Sequence, residues 1–187
     1  MNVVYGGAFN PPTKAHVEVY RFLMEKLPIA RFIFLPVSSV YGKDVEADRH
    51  RYAMLERLTE TLPGAEVSAL EMEDETYRGT YHSLTRLSDE TETAFVIGAD
   101  HLKTLPRWKN AEKLLSEFRI IVLNRGGEDL RGIIEGDGML SRYAETFILF
   151  PEFHLDISAS TYRTSKDPGL LPDPVRAYIE RYGLYEE

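Results

Sequence analysis

The sequence predicts an α/β protein: a doubly wound parallel sheet in a single domain over residues 1–187, with helices at its C-terminal end. Three observations predict it. Short runs rich in Val, Ile and Phe alternate with longer stretches of helical periodicity. Most of the short runs are continuous rather than alternating, which is the pattern of strands covered on both faces. The length of 187 residues, with 43% hydrophobic and 28% charged side chains, suits one domain with its own core.

In chain order, the first strand is expected at Asn2–Tyr5. A helix follows at Lys14–Leu27, where Val19, Phe22, Leu23 and Leu27 gather on one side. The second strand is expected at Arg31–Leu35, and the next helix, Ala47–Leu62, repeats Leu55, Leu58 and Leu62 at helical spacing. Glu66–Leu70 and Thr93–Ile97 read as the third and fourth strands. Asn110–Phe118 reads as a helix carrying Leu114, Leu115 and Phe118, and the last strands fall at Arg119–Leu123 and Glu145–Phe150. Near the C-terminus, Asp173 reads as a cap with Pro174 at the first helical position, and Gly183 as the stop. This alternation describes a Rossmann-like sheet, in which ligands bind beyond the carboxyl ends of the strands.

Composition excludes several functions. The net charge of −8, from 22 Lys and Arg against 30 Asp and Glu, opposes binding to nucleic acid or to an anionic membrane surface. The absence of cysteine excludes disulfides, thiolate catalysis and cysteine zinc sites. No basic start precedes a long apolar stretch, and runs such as Phe32–Val37 are too short to cross a bilayer, so a cytoplasmic protein is expected. The acidic run Glu71–Glu75 reads as a solvated edge, and no dedicated metal site is expected. The negative charge is unevenly spread. Up to Met24 the only acidic residue is Glu18, and Ile157–Lys166 has none while carrying Arg163 and Lys166.

Those two acid-poor stretches carry the candidate chemistry. The first strand runs into Gly6-Gly7-Ala8-Phe9-Asn10-Pro11-Pro12-Thr13-Lys14-Ala15-His16. Two glycines after a strand allow a tight turn and a close approach to a ligand. The following helix offers unpaired N–H groups and a positive dipole end, which attract an anion. Thr13 and His16, three apart, share a face of its first turn, so a hydroxyl and an imidazole can address one phosphate. The G-x-G-x-x-G fingerprint and the P-loop pattern are both absent, which argues against a redox Rossmann enzyme and excludes a P-loop. Ile157-Ser158-Ala159-Ser160-Thr161-Tyr162-Arg163 is a hydroxyl-rich helix start with an arginine one turn in, suited to clamping phosphates. The fourth strand ends in Gly98-Ala99-Asp100, with Trp108 eight residues further on.

The Gly6–His16 segment resembles the signature of the (H/T)xGH nucleotidyltransferases, and Ile157–Arg163 resembles their second signature, I-S-x-T-x-x-R. Gly98-x-Asp100 with Trp108 is similar to a pattern of the pyridine-nucleotide adenylyltransferases. Almost the whole chain resembles the bacterial nicotinate-nucleotide adenylyltransferase family, including Thr80–Leu84, Leu123–Gly127 and Leu170–Val175. The chain departs from that family at several places. Thr13 stands where it usually has His, as in the pantetheine-phosphate branch; Ala15 stands for Gly and Ser160 for Thr. Pro36–Lys43 keeps the basic residue but lacks the usual prolines and His, and Arg78-Gly79 replaces Ser-Tyr before Thr80.

The resemblance implies adenylyl transfer from ATP to a pyridine mononucleotide by direct in-line attack. It assigns Thr13, His16, Lys43 and Arg163 to catalysis. Gly6, Gly7, Ala8, Phe9, Asn10, Gly98, Asp100, Ser158 and Ser160 are assigned to ATP, and Thr80, Trp108 and Arg125 to the acceptor. Mg²⁺ is expected to arrive with ATP. Two alternatives stay open from sequence: a different acceptor such as phosphopantetheine, and a nucleotide-binding module with weak or no catalysis. Whether the chain forms a homo-oligomer is also open.

Overall fold

The computed structural model of the protein describes residues 1–39, 46–155 and 158–186. In chain order they form β1 (Asn2–Gly7), α1 (Lys14–Lys26), β2 (Arg31–Pro36), α2 (Asp48–Thr59), β3 (Ala65–Val67), α3 (Leu70–Glu73), α4 (Thr80–Leu87) and β4 (Thr93–Gly98). Then come α5 (Ala99–Thr104), α6 (Ala111–Glu117), β5 (Arg119–Leu123), α7 (Leu130–Glu135), α8 (Gly138–Arg142), β6 (Phe147–Phe150), α9 (Ala159–Ser165) and α10 (Asp173–Tyr182). Every described strand pairing is parallel. The strand order is β3-β2-β1-β4-β5-β6, the doubly wound arrangement expected from the alternation of strands and helices.

The chain divides into two compact units, Met1–Gly6 with Tyr77–Asp156 and Gly7–Thr76 with Ile157–Glu187. In the first, β1 pairs with β4, β4 with β5 and β5 with β6. Ile120–Leu123 of β5 are wholly buried, as a central parallel strand covered on both faces must be. Its flanking helices bury Leu102 and Leu114. Helices α7 and α8 open on Asp129 and Asp137, whose carboxylates accept backbone N–H bonds from their first turns.

In the second unit β2 pairs with the three-residue edge strand β3. Phe32–Leu35 of β2 and Met54, Leu55 and Leu58 of α2 are all buried, so the leucine repeat seen in sequence is the inward face of α2. Helix α10 buries Val175, Tyr178 and Ile179 and stops at Gly183 in a left-handed conformation.

Several boundaries differ from the sequence expectation; α2, expected over Ala47–Leu62, spans Asp48–Thr59, and three other differences have a visible cause. The third strand ends at Val67, because the Ser68 N–H makes a last bond to Phe34 O at 2.9 Å and the chain then turns into α3. That short helix buries Glu71, so the acidic run is not wholly a solvated edge. The sixth strand starts at Phe147, since Ala144–Thr146 form a 3-10 turn closed by Thr146 N–H to Tyr143 O at 2.9 Å. At α10 the cap is Pro172, whose carbonyl accepts from Val175 and Arg176, and Asp173 is already helical.

Candidate functional site

The turn between β1 and α1 is built from within the second unit. Gly7 is extended; the left-handed residue is Phe9, at φ 47°. What Gly7 supplies is room, since a Cβ there would stand 3.3 Å from the Phe9 ring. Phe9 is buried, and its ring lies 4.9 Å from that of His16 between centroids. A buried aromatic held in a sparsely populated backbone region marks a turn fixed by its surroundings.

Those surroundings are polar. Arg51, fully buried on α2, donates from Nη1 to Ala8 O at 2.6 Å and from Nε to Glu46 O at 2.8 Å. Its Nη2 reaches Val37 O at 2.7 Å and Asp48 Oδ1 at 2.6 Å. Asp48 also accepts from the Ser38 hydroxyl and the Ser39 N–H, both at 2.8 Å. Burial pushes the Asp48 carboxyl up, but the bonds from Ser38, Ser39 and Arg51 outweigh it and hold it below the ordinary value. Asn10 Oδ1 accepts from Glu46 N–H at 3.1 Å and from the Tyr185 hydroxyl at 2.6 Å. The Asn10 carbonyl accepts from Arg163 Nη1 at 2.7 Å, and Arg163 Nη2 reaches Ser160 Oγ at 3.1 Å.

At the start of α1, His16 closes a capping box. The Thr13 N–H donates to His16 Nδ1 at 2.9 Å, and the buried Thr13 hydroxyl lies 3.2 Å from the same nitrogen. A backbone N–H can only donate, so Nδ1 is an acceptor and the ring proton sits on Nε2. Thr13 therefore sets the tautomer of His16, where the sequence alone placed both side chains toward one phosphate. Lys14, whose direction sequence left open, donates to Gly169 O at 2.7 Å. Ser158 caps α9, its Oγ accepting from Thr161 N–H at 3.1 Å. Lys43 and Ile157 lie outside the described residues.

A second group belongs to the first unit. Gly6 ends its part of β1, half-buried. Gly98 caps α5, and a Cβ there would stand 2.6 Å from Asp100 Oδ1, so the glycine makes space for that exposed carboxylate. Thr80 opens α4 behind Gly79, which is left-handed at φ 97° and whose Cβ would come within 3.2 Å of Lys109. Its hydroxyl is 3.1 Å from that of Tyr77. Trp108 is half-buried: its ring meets Phe95 and His101 edge-on and its Nε1 donates to Thr104 Oγ1 at 3.2 Å. Arg125 follows β5, exposed, and donates to the Tyr5 hydroxyl at 3.0 Å. Burial pushes the Tyr5 phenol up against the opposing pull of Arg125.

In each unit most of the candidate residues follow carboxyl ends of parallel strands or lie in the first turns of helices, whereas Trp108 closes the 3-10 turn Leu105–Arg107. The second unit brings together Gly7–Asn10, Thr13, His16, Ser158, Ser160 and Arg163. The first holds Gly6, Thr80, Gly98, Asp100, Trp108 and Arg125. Sequence reasoning missed Arg51, Asp48 and Tyr185. A signal for Arg51 existed: it falls one turn before Leu55 on the apolar face of its helix, a poor place for an unpaired charge. Among the described residues no three His, Asp or Glu side chains are grouped to hold a metal ion. None of their helices is long and apolar enough to cross a membrane.

A family model described as cytidylyltransferase-like matches residues 4–165. The chain belongs to the cytidylyltransferase-like family. Among its relatives in that family, a protein of Acholeplasma laidlawii is 34% identical over 100% of this chain and 98% of its own. One from a Roseiflexus species is 31% identical over 97% and 96%. Both carry the name "Probable nicotinate-nucleotide adenylyltransferase". The fold matches a crystallised Plasmodium falciparum nicotinic acid mononucleotide adenylyltransferase complexed with NaAD, at a TM-score of 0.74 and 20% identity over 98% of this chain and 96% of that one.

Proposed function

We propose that this family member transfers the adenylyl group of ATP to nicotinate mononucleotide, giving deamido-NAD and pyrophosphate. The observation that carries the reading is His16, its Nε2–H fixed as a donor by the Thr13 N–H at the opening of a helix. Kinship along the full chain with proteins named for this reaction supports the acceptor.

The chemistry follows from the side chains. An oxygen of the acceptor phosphate attacks the α-phosphorus of ATP in line. The new P–O bond forms as the α–β bridge breaks, and pyrophosphate leaves with both electrons of that bond. His16 Nε2–H donates to an α-phosphate oxygen as charge builds there, and the N–H groups opening α1 add to that field. Arg163 neutralises the leaving phosphates and Lys43 adds a second positive charge, with Ser158, Ser160 and the Gly7–Asn10 backbone lining the nucleotide. Mg²⁺ would enter as part of the ATP substrate and would neutralise charge on its phosphates. Gly6 and Gly98 give the backbone room, and Asp100 accepts from a ribose hydroxyl. The N–H groups opening α4 at Thr80 receive the nicotinate carboxylate, Trp108 stacks on the pyridine ring, and Arg125 meets the acceptor phosphate. We also propose that residues 1–187 act as one functional domain, supported by relatives that match over the whole chain, and that it works in the cytoplasm.

Purified protein incubated with ATP, Mg²⁺ and single acceptors should release pyrophosphate with nicotinate mononucleotide in preference to the nicotinamide form. Turnover with phosphopantetheine alone would overturn the acceptor. ATP binding without turnover on any of the three would leave a nucleotide-binding module instead.

A further inference from the structure

We infer that Tyr185 is a positioning residue for the nucleotide site, holding the Ala8–Asn10 turn in place through the side chain of Asn10; the inference rests on the reading that this turn binds ATP. Tyr185 lies 175 positions from Asn10 in sequence, and its hydroxyl donates to Asn10 Oδ1 at 2.6 Å. The Glu46 N–H donates to the same oxygen, so both bonds fix the carboxamide with its NH₂ directed away from Tyr185 and Glu46. The main chain of Asn10 meets Arg163, which the proposed reaction uses on the leaving phosphates. One residue, Asn10, thus joins the C-terminal segment and the turn through its side chain and Arg163 through its carbonyl.

The conformation of Tyr185 points the same way. Its φ of 62° lies in the left-handed region, uncommon for a residue with a bulky side chain. Two contacts and a helix stop hold it there besides the bond to Asn10. Gly183 ends α10 in a left-handed conformation, Lys166 Nζ donates to the Tyr185 carbonyl, and the Tyr162 ring packs edge-on against the Tyr185 ring at 6.0 Å. Strain that a fold over-determines in this way tends to sit at sites where position matters. The charged groups that act on the phenol are Glu46, Arg51 and Arg163, members or neighbours of the same network.

The test is Tyr185→Phe, which keeps the ring and deletes only the donor. Mg²⁺-ATP affinity is measured directly by calorimetry, alongside steady-state kinetics with nicotinate mononucleotide. The expected result is about a tenfold loss in ATP affinity and in kcat/KM for ATP, the size of one lost hydrogen bond plus misplacement of the phosphates. KM for the mononucleotide should stay within about twofold, because the residues proposed to bind it are Thr80, Trp108 and Arg125, and Tyr185 is not among them. Tyr182→Phe, at an exposed tyrosine three residues earlier, should match the wild type. Tyr185→Phe with unchanged ATP affinity and kinetics would overturn the inference. So would a fall in melting temperature with both substrates affected equally, which a merely structural tyrosine would give. Wild-type protein that binds ATP but does not adenylate the mononucleotide would overturn the proposed reaction while leaving the affinity comparison decisive for Tyr185.

Discussion

Replacing Arg51 with Met deletes the guanidinium while keeping most of the side chain's length and apolar stem. Three carbonyls, of Ala8, Val37 and Glu46, and the Asp48 carboxylate then lose a donor that lay 2.6 to 2.8 Å away. Breaking one partner out of a buried ion pair costs about 3–5 kcal/mol. Asp48 is 25% exposed, so water reaches it in part and the lower end applies, about 3 kcal/mol. For a chain of this size each kcal/mol moves the melting temperature by roughly 2–4 °C, giving a fall of about 6–12 °C. Thermal and urea unfolding followed by circular dichroism measure this. Arg51→Lys should lose less, since one ammonium reaches some of these acceptors but not all from a single point. Because Ala8 is one of the three carbonyls, ATP affinity should fall too, well below the melting temperature. A loss under about 1 kcal/mol would refute the claim that these bonds carry the fold of the turn. Lower stability with wild-type ATP affinity would refute its link to the site.

Other outcomes follow from the same geometry. His16→Ala should lower kcat by about 10²-fold with little change in KM for ATP, since the Nε2 bond strengthens as charge develops; steady-state kinetics would refute this if kcat survived. Gly98→Ala puts a methyl 2.6 Å from Asp100 Oδ1 and should swing that carboxylate away, raising KM for ATP several-fold while the melting temperature barely moves. Trp108→Leu should raise KM for the mononucleotide by about tenfold and leave ATP affinity alone, as expected for losing one aromatic stack. Asp48 has a folded pKa below its unfolded value of 3.8, so its stabilisation is present above that pH and is lost as pH falls through the folded value. Asp48→Asn should therefore be less stable than the wild type at neutral pH, with the gap closing in acid unfolding below about pH 4.

Much of the fold is readable along the chain. The Lys14 helix start and the Arg119–Leu123 strand fall where the apolar runs put them, because periodicity and β-branched content are local properties. Boundaries moved where another bond intervened, a cross-strand one at Ser68 and a local turn at Thr146. Candidate residues were found by their place after strands or at helix starts. Roles that depend on a partner far along the chain were not, and Thr13 shows the difference: sequence placed it beside His16 but could not say that its N–H would choose the tautomer.

By itself the sequence determined the alternation of strands and helices, the glycines at two strand ends, the His16 and Arg163 helix starts, and the uneven charge that leaves both starts free of excess carboxylates. Tertiary structure alone decided which carbonyls Arg51 would bind, that Arg163 would turn to the Asn10 carbonyl, and that Tyr185 would bond a residue near the other end of the chain. The physical reason is burial. A charged or hydroxyl side chain takes its role from which acceptors surround it once water is excluded, and those acceptors come from segments that only folding brings together.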